Sequence, residues 1–269
     1  MRIYTYGIID SNVSIVESIS GLEGVGVYNL SYRDIGVVAS KLINQIKEIN
    51  RNDVLKHEEV VERLMDNFTV LPVRFFTTFN QEEEVLVMLK EYYQDFKENL
   101  RHLRNKVEFG IRVIWPSETI KNRIIEASKR CHADVTITNS SPGGSFVKQK
   151  FEKYKIDKEF AEEASRCIIV VDDYFNRIAG EKKLQKLVSE DLLLNAAYLV
   201  EKEKQNEFKQ AFEELRSAPS DLRYLFSGPW PPYNFINLSK KPYCFKDFEG
   251  IDMLKKEMSN RDLGDKESI

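Results

Sequence analysis

The ten residues VLPVRFFTTF, Val70–Phe79, form a strand-like run between two segments with helical periodicity. From Asp53 to Phe68, apolar residues recur at helical spacing, with charged residues between them: His57, Val60, Val61, Leu64, Met65 and Phe68. After the run, an apolar stripe continues from Val85 to Leu103, and Asn80 followed by Glu83 predicts the cap that begins this helix. This mixture of helices and strands favours the α+β class.

The residues that precede these helices add strands to the same unit. Residues 2–9 predict one strand, and VGVYNLSY (25–32) and IGVVAS (35–40) predict a hairpin, although the intervening Arg33 and Asp34 are not a favoured turn pair. Strands and helices in this order resemble an embellished ferredoxin-like unit that closes near residue 105. We therefore expect a first domain with a modified ferredoxin-like fold over residues 1–105.

The second half repeats the alternation more loosely. Strands are predicted at 107–115, 192–200 and 221–228, and helices at 117–131, 157–179 and 203–217; the sequence SSPGGS (140–145) predicts a turn. CIIVV, Cys167–Val171, fits either a helix or a strand. With 269 residues the chain exceeds one typical core, so we expect a second α+β domain with a smaller sheet over 106–238 and a polar C-terminal tail over 239–269.

Composition excludes several classes of protein. Hydrophobic residues make up 42% and charged residues 31%, as in soluble globular proteins, and the formal net charge of −3 gives no overall attraction to nucleic acid or anionic lipid. No apolar run approaches the roughly 20 residues that span a bilayer, and the N-terminus shows no signal-peptide pattern. Three widely spaced cysteines favour a reducing, cytoplasmic setting.

His57 and Arg74 are the first candidates for a functional site. His57 lies on the apolar stripe of its helix, where a buried, hydrogen-bonded imidazole is a better interpretation than a general base. Arg74 interrupts an apolar strand and needs an acceptor, for which Glu58, Glu62 and His57 are candidates. A pocket around His57 and Arg74 in a small-ligand enzyme is the alternative hypothesis.

Other patterns favour structural roles over chemistry. No second Cys/His pair follows Cys131 and His132 at zinc-site spacing, and the glycines of SSPGGS lack the phosphate-binding patterns, so neither a metal nor a cofactor is predicted. Asp172 and Asp173 are expected on a solvated helix face rather than as an acid/base pair.

The basic stretch from Lys148 to Lys155 contains interleaved aromatic residues. It is interpreted as a charged surface or as a docking site for an acidic partner segment. A nucleic-acid patch is the less favoured alternative, because the whole chain is acidic.

The stretch SGPWPPYNF, Ser227–Phe235, is rich in proline and aromatic residues. Consecutive prolines favour an extended, polyproline-like backbone, and its PxxP pattern could bind an aromatic-lined groove. Exposure of Trp230, Tyr233 and Phe235 to water would be costly, so we expect this stretch to pack back against the fold as a stiff brace.

An ordered set of motifs resembles the gas vesicle proteins of the GvpF/GvpL type. The motifs are YTYGII near the start, the helix of His57, VLPVRFFTTF, VEFGIRVIW, the turn SPGGSFVKQK, LLNAAYLV and SGPWPPYNF, and together they extend over residues 3–238. This chain departs from the family at Phe76, where a glycine is usual. It also departs at SFVKQK, where an aromatic–leucine pair is common.

The resemblance implies a protein without catalytic activity. Members of the family are accessory or minor structural components of gas vesicles, with two α+β domains, and they contact the hydrophobic shell protein and other accessory proteins during assembly. It implies a location in the cytoplasm or on the vesicle, and partners that are neither nucleic acid nor a lipid membrane. The positions expected to serve as family motif or partner contact are His57, Arg74, Phe75, Trp230, Tyr233 and Phe235.

Overall fold

The computed structural model describes residues 2–13, 19–43, 50–132 and 142–239. These residues form a mixed fold of two sheets and six α-helices. The strands are β1 (Arg2–Ile9), β2 (Tyr28–Tyr32), β3 (Ile35–Leu42), β4 (Val70–Pro72), β5 (Thr78–Phe79), β6 (Lys106–Ile114), β7 (Glu181–Leu184), β8 (Leu192–Glu201) and β9 (Arg223–Trp230). The helices are α1 (Arg51–Asn67), α2 (Glu82–Glu91), α3 (Tyr93–His102), α4 (Ser117–His132), α5 (Pro142–Phe175) and α6 (Gln205–Ser217).

The first sheet has the strand order β2-β3-β1-β4, with β5 also paired to β1, and its pairings are antiparallel. The predicted hairpin is confirmed: Tyr32 lies opposite Ile35 across a turn of two residues. Arg33 adopts a left-handed φ of 56° in this turn. The positive φ matches the twist of a two-residue hairpin, although asparagine or glycine usually supplies it.

Helix α1 covers the apolar face of the first sheet. Its N-terminus is capped by Asn50, whose side chain accepts a hydrogen bond from the Asp53 backbone N–H at 2.9 Å. The buried face of α1 carries His57, Val60, Val61 and Leu64. These side chains enter a core with Tyr4, Tyr6, Ile9, Ile19, Leu22, Val38, Leu42 and Val70.

The prediction of one strand over Val70–Phe79 is wrong in its middle. Strand β4 ends at Pro72 and β5 begins at Thr78, with a turn between them in which the Arg74 carbonyl accepts bonds from the Thr77 N–H at 3.2 Å and hydroxyl at 2.7 Å. Phe76 occupies the left-handed region at φ 67°. A bulky residue with this φ is strained, and the Tyr4 hydroxyl helps to hold it by accepting the Phe76 N–H at 3.1 Å.

The stripe from Val85 to Leu103 is divided between two helices rather than one. Tyr92 separates α2 from α3 with φ −105° and ψ 16°. The predicted cap is also displaced: α2 begins at Glu82, and the Asn80 N–H and side-chain amide donate to Glu84 rather than Glu83.

The second sheet has the order β7-β8-β6-β9. Strands β6, β8 and β9 and helix α6 confirm the predictions from sequence, whereas the charged edge strand β7 was not predicted. CIIVV is helical, and α5 is one helix of 34 residues. The predicted turn at SSPGGS is wrong for Pro142–Ser145, which opens α5, because proline is compatible with the first helical turn; Ser140 and Ser141 lie outside the described residues.

Two compact units divide the chain. The first comprises Met1–Phe109, Leu199–Lys202 and Ser227–Ile269, and the second comprises Gly110–Tyr198 and Glu203–Phe226. In the second unit, the rings of Phe175, Tyr198 and Phe208 pack with centroids 4.9 to 5.5 Å apart. The predicted boundary at 105/106 and the tail over 239–269 stay predictions.

Candidate functional site

A sealed aromatic cluster surrounds His57 in the first unit. The imidazole is fully buried and its Nδ1 lies 2.9 Å from the Tyr4 hydroxyl. The Tyr6 ring stacks on it at 5.6 Å between centroids, and the Phe75 ring meets it edge-on at 5.6 Å. The prediction of a buried, hydrogen-bonded histidine is therefore confirmed at Nδ1.

The hydrogen bonds around Tyr4 assign the tautomer of His57. The Tyr4 oxygen accepts the Phe76 N–H, and His57 Nδ1 is the acceptor within reach of its hydroxyl proton, so we assign Nδ1 as the acceptor. The proton of a neutral imidazole then resides on Nε2, which has no hydrogen-bond partner among the described residues. Burial lowers the pKa of His57 to about 4, against a smaller raising effect of the Val73 backbone carbonyl.

Tyr6 fixes the opposite side of the cluster. Its hydroxyl lies 2.9 Å from Ser40 Oγ and accepts the Leu22 N–H at 2.8 Å. Burial raises the pKa of both Tyr4 and Tyr6, so both phenols stay neutral near pH 7. A Cβ atom at Gly21 would lie 2.2 Å from the Tyr6 hydroxyl, so the close approach of the chain requires glycine here.

The enzyme hypothesis required His57 and Arg74 to converge on an open cleft, and the geometry does not support it. His57 has no exposed surface, whereas Arg74 is half-exposed in the turn that joins β4 to β5. A cavity of about 20 Å³ beside the end of α1 has room for a single water. A larger open groove of about 390 Å³ is lined by residues that include Tyr28, Lys41 and Glu82, and neither His57 nor Arg74 lines it. Phe75 is half-buried against His57 and Tyr4.

The stretch SGPWPPYNF packs against the first unit, as expected, but its backbone differs from the prediction. Ser227–Trp230 completes β9, and Tyr233–Phe235 forms a turn of 3-10 helix. Pro232 has ψ 60°, far from the polyproline value of about 145°. Trp230 and Tyr233 are half-buried and Phe235 is 2% exposed.

Polar side chains from three elements hold the segment Ser227–Ser239, called the C-terminal segment below. Glu108 on β6 is 4% exposed and accepts both the backbone N–H of Asn234, at 2.9 Å, and its side-chain amide. Glu58 on α1 accepts the Tyr233 hydroxyl at 3.4 Å. Burial, followed by the charge of Glu58, raises the pKa of Tyr233 well above its usual value.

Helix α3 holds the end of the C-terminal segment. The side-chain amide of Asn99 both accepts the Asn237 N–H and donates to the Asn237 carbonyl, each at 2.7 Å. Asp95 accepts the N–H of Ser239 at 3.1 Å and also its hydroxyl. Sequence reasoning missed Glu108, Asn99 and Asp95, because no local pattern shows which distant backbone groups they satisfy.

Asp172 differs from its prediction of a solvated surface residue. It accepts the Tyr198 hydroxyl at 3.1 Å and pairs with Lys182, whereas Asp173 is exposed. Desolvation and the charge of Asp172 raise the pKa of Tyr198. This contact links α5 to strands β7 and β8 and is structural.

The described part of the chain has neither a cluster of metal-binding side chains nor a helix that could span a membrane. No group of three or more His, Cys, Asp and Glu residues there could hold a metal ion. No helix there is both long and apolar enough to span a bilayer. The side chains of Cys131 and His132 lie outside the description.

Two solved structures share the fold of this chain. The crystal structure of the gas vesicle protein GvpF from Anabaena sp. PCC7120 superimposes with a TM-score of 0.75 at 22% identity, covering 89% of this chain and 99% of that one. GvpF from Microcystis aeruginosa gives a TM-score of 0.73, also at 22% identity, with 88% and 99% covered. At this identity the likeness establishes the fold.

Sequence comparison identifies the family. The family model described as "Gas vesicle synthesis protein GvpL/GvpF" matches residues 2–237, so the chain belongs to this family. Gas vesicle protein F2 of Halobacterium salinarum is 24% identical over 241 residues, covering 88% of this chain and 93% of that protein. Gas vesicle protein F of Nostoc sp. is 23% identical, with 88% and 98% covered.

Proposed function

We propose that this chain is a non-enzymatic accessory or minor structural protein of gas vesicles. It acts in the cytoplasm or on the vesicle, where it binds the hydrophobic shell protein and other accessory proteins during assembly. Membership of the GvpL/GvpF family supports the connection with gas vesicle formation. The binding step is supported by a group of exposed apolar side chains at an edge of the second sheet.

The edge strand β7 carries this apolar group, which we call the β7 edge. All four residues of β7 are exposed, and β7 pairs only with β8 in the order of the second sheet. Leu184 is 67% exposed, and Leu187 and Val188, which follow the strand, are 49% and 56% exposed. Exposed apolar side chains beside an open strand edge are typical of sites that bind another polypeptide.

The β7 edge is suited to a shell subunit that has not yet polymerised. Such a subunit exposes an apolar face, and its association with other subunits is suppressed while that face is covered. Salt screens charges but does not screen apolar contacts, so binding through Leu184, Leu187 and Val188 is expected to be salt-tolerant.

The motif positions divide by their exposure. Arg74, Phe75, Trp230 and Tyr233 are half-buried and are proposed as additional partner contacts. His57 and Phe235 are buried. Because a buried side chain cannot contact a partner directly, we propose that His57 and Phe235 support the surface residues around them.

Co-purification with the major shell protein tests the proposal. The chain should retain the shell protein at both low and high salt, and the variant L184D/L187D should lose most of this retention without a change in its circular dichroism. V87D is the matched control, because Val87 is 60% exposed on α2, which belongs to the other compact unit. Absence of binding, with and without the other accessory proteins, would refute the proposal.

The finer description of the fold is also a proposal. We infer a first domain over residues 1–105 with a modified ferredoxin-like fold. It is supported by the antiparallel strand order β2-β3-β1-β4 and by the order of the helices along the chain, in which α1 connects β3 to β4 and α2 follows β5. A second α+β domain over 106–238 is supported by the separate four-stranded sheet.

A further inference from the structure

Helix α5 exposes a row of side chains on the face opposite to its packed face. The packed face includes Phe160, whose ring centroid lies 4.6 Å from that of Trp115, and the buried Phe175. Six exposed residues follow one another on the opposite face in steps of four, three, four, three and four, and we call them the α5 outer row: Phe151, Lys155, Lys158, Glu162, Ser165 and Ile169. Alternating steps of four and three residues are typical of the seam between two paired helices.

Large apolar side chains occupy both ends of the α5 outer row. Phe151 is 57% exposed and Ile169 is 59% exposed. The distance between them along the helix is about 27 Å, because each residue of an α-helix rises about 1.5 Å. Covering either side chain removes apolar surface from water and is favourable. A partner that covers both must therefore carry apolar groups at the same separation.

Opposite charges occupy the middle of the α5 outer row. Lys158 and Glu162 lie one helical turn apart, with 3.8 Å between the lysine Nζ and the carboxylate, and their side chains are 62% and 52% exposed. An exposed ion pair within one helix contributes little to stability. Both groups are therefore available to a partner that places an anion opposite Lys158 and a cation opposite Glu162.

A second α5 helix in the antiparallel orientation meets all of these requirements. The midpoint of the row is residue 160, and two antiparallel copies that share this midpoint place residue 151 of one copy opposite residue 169 of the other. Phe151 of each copy then packs on Ile169 of the other. Lys158 of each copy faces Glu162 of the other, so the two central contacts join opposite charges.

The parallel orientation lacks this complementarity. It sets each residue of the row against the same residue of the other copy, so Lys155, Lys158 and Glu162 all meet like charges. Like charges at close range repel. In the antiparallel orientation Lys155 faces the neutral hydroxyl of Ser165 instead. The charges of the row thus select one of the two orientations.

We propose that this chain forms a dimer in which two α5 helices pack antiparallel along the α5 outer row. The interface is isologous, because the same row serves both copies and a twofold axis passes through its midpoint. The whole row lies in the second compact unit. A single pair of helices is smaller than a standard interface of about 1,600 Å², so the dimer is expected to be weak and to depend on protein concentration.

Sedimentation velocity of the full chain over a range of concentrations tests the proposal. Wild type should shift from monomer to dimer as the concentration rises. K158E and E162K should each raise the dissociation constant about tenfold, because each replaces two attractive contacts of the symmetric pair with two repulsive ones. K158E/E162K restores opposite charges at both contacts and should return the dissociation constant to within about twofold of wild type.

A matched pair of variants tests the apolar ends of the row. I169D should raise the dissociation constant about tenfold, because it removes the contact with Phe151 at both ends of the pair. V170D is its control, since Val170 is 57% exposed on the same helix but lies outside the row. K209E, at an exposed lysine on α6, is the control for the charge change of K158E. Both controls should stay within about twofold of wild type, and circular dichroism should show that every variant is folded.

An equimolar mixture of K158E and E162K distinguishes the two orientations. In the antiparallel pair the mixed dimer joins opposite charges at both central contacts, so the mixture should dimerise about as tightly as wild type, although each variant alone is weak. A parallel pair predicts single variants as tight as wild type and a mixture that is tighter, and this result would overturn the antiparallel geometry.

Two other results would overturn the dimer itself. One is a wild-type chain that stays monomeric at every concentration, which would leave the row to a different partner. The other is a dimer that K158E, E162K and I169D weaken no more than K209E and V170D do, which would place the interface elsewhere. The shell protein is absent from all of these measurements, so their failure would leave the proposed function untouched.

Discussion

Replacement of His57 by asparagine is expected to make the free energy of unfolding less dependent on pH between pH 7 and pH 4.5. His57 is fully buried, its Nδ1 accepts the Tyr4 hydroxyl, and its pKa in the folded state is lowered to about 4 from 6.5. A lowered pKa means that the unfolded chain binds the proton more readily than the folded chain does. The contribution of His57 is therefore present above pH 6.5 and is lost as the pH falls towards 4.

The size of this loss follows from the two pKa values. With 6.5 for the unfolded chain and about 4 for the folded protein, the linkage relation gives a loss of about 2 kcal/mol between pH 7 and pH 5 and about 3 kcal/mol by pH 4. Tyr4 and Tyr6, which touch the imidazole, have raised pKa values and do not titrate in this range. Carboxylates elsewhere also titrate below pH 5, so the effect must be measured as a difference between two proteins.

Urea unfolding at several pH values between 7 and 4.5 measures that difference. H57N keeps an acceptor near the Tyr4 hydroxyl but removes the titrating ring, so it should be less stable than wild type at pH 7. The gap between the two free energies of unfolding should then shrink by about 2 kcal/mol by pH 5. H102N, at an exposed histidine on α3, is the matched control. Parallel curves for wild type and H57N would refute this account of the cluster.

Two further substitutions test the backbone and the C-terminal segment. F76G should be more stable than F76A by about 1 kcal/mol in urea unfolding, because φ at this position is 67° and glycine avoids the left-handed penalty. The same pair at Phe151 inside α5 should show the opposite order; the same order at both sites would contradict the argument. E108A should lower the free energy of unfolding by about 2–3 kcal/mol and expose residues 231–239 to proteolysis, since Glu108 accepts two bonds from Asn234. E159A, at an exposed glutamate on α5, should change stability by less than about 0.5 kcal/mol, and equal losses in the two variants would contradict a specific role for Glu108.

Periodicity predicted most of the helices and strands, because those elements bury one face each. The face of α1 with His57, Val60, Val61 and Leu64 is the clearest case, and the run from Leu192 to Val200 is another. The failures occurred where distant groups decide the backbone. Phe76 has a positive φ without any local signal, and the group that accepts its N–H is Tyr4, 72 residues away.

Local composition misled the prediction in the second unit for a different reason. Proline and two glycines at 142–144 are typical of a turn, yet they begin a helix whose later residues, such as Val171 and Phe175, are buried. Tertiary packing of those later turns outweighs weak propensities at the start. Strand β7 was missed since EKKL shows no apolar alternation, which is common for charged edge strands.

Two of the motifs that indicated the family contact neighbouring residues of α1. VLPVRFFTTF brings Phe75 against His57, and SGPWPPYNF brings Tyr233 to Glu58, the next residue along α1. The motifs are more than 140 residues apart in the sequence, and each is fixed by side chains of the other parts of the first unit: Tyr4 holds Phe76, and Glu108 holds Asn234. Both motifs thus serve the structure of the first unit, because each supplies a contact to α1 at His57 or Glu58. A substitution in either motif should therefore act on the stability of this unit before it acts on any partner.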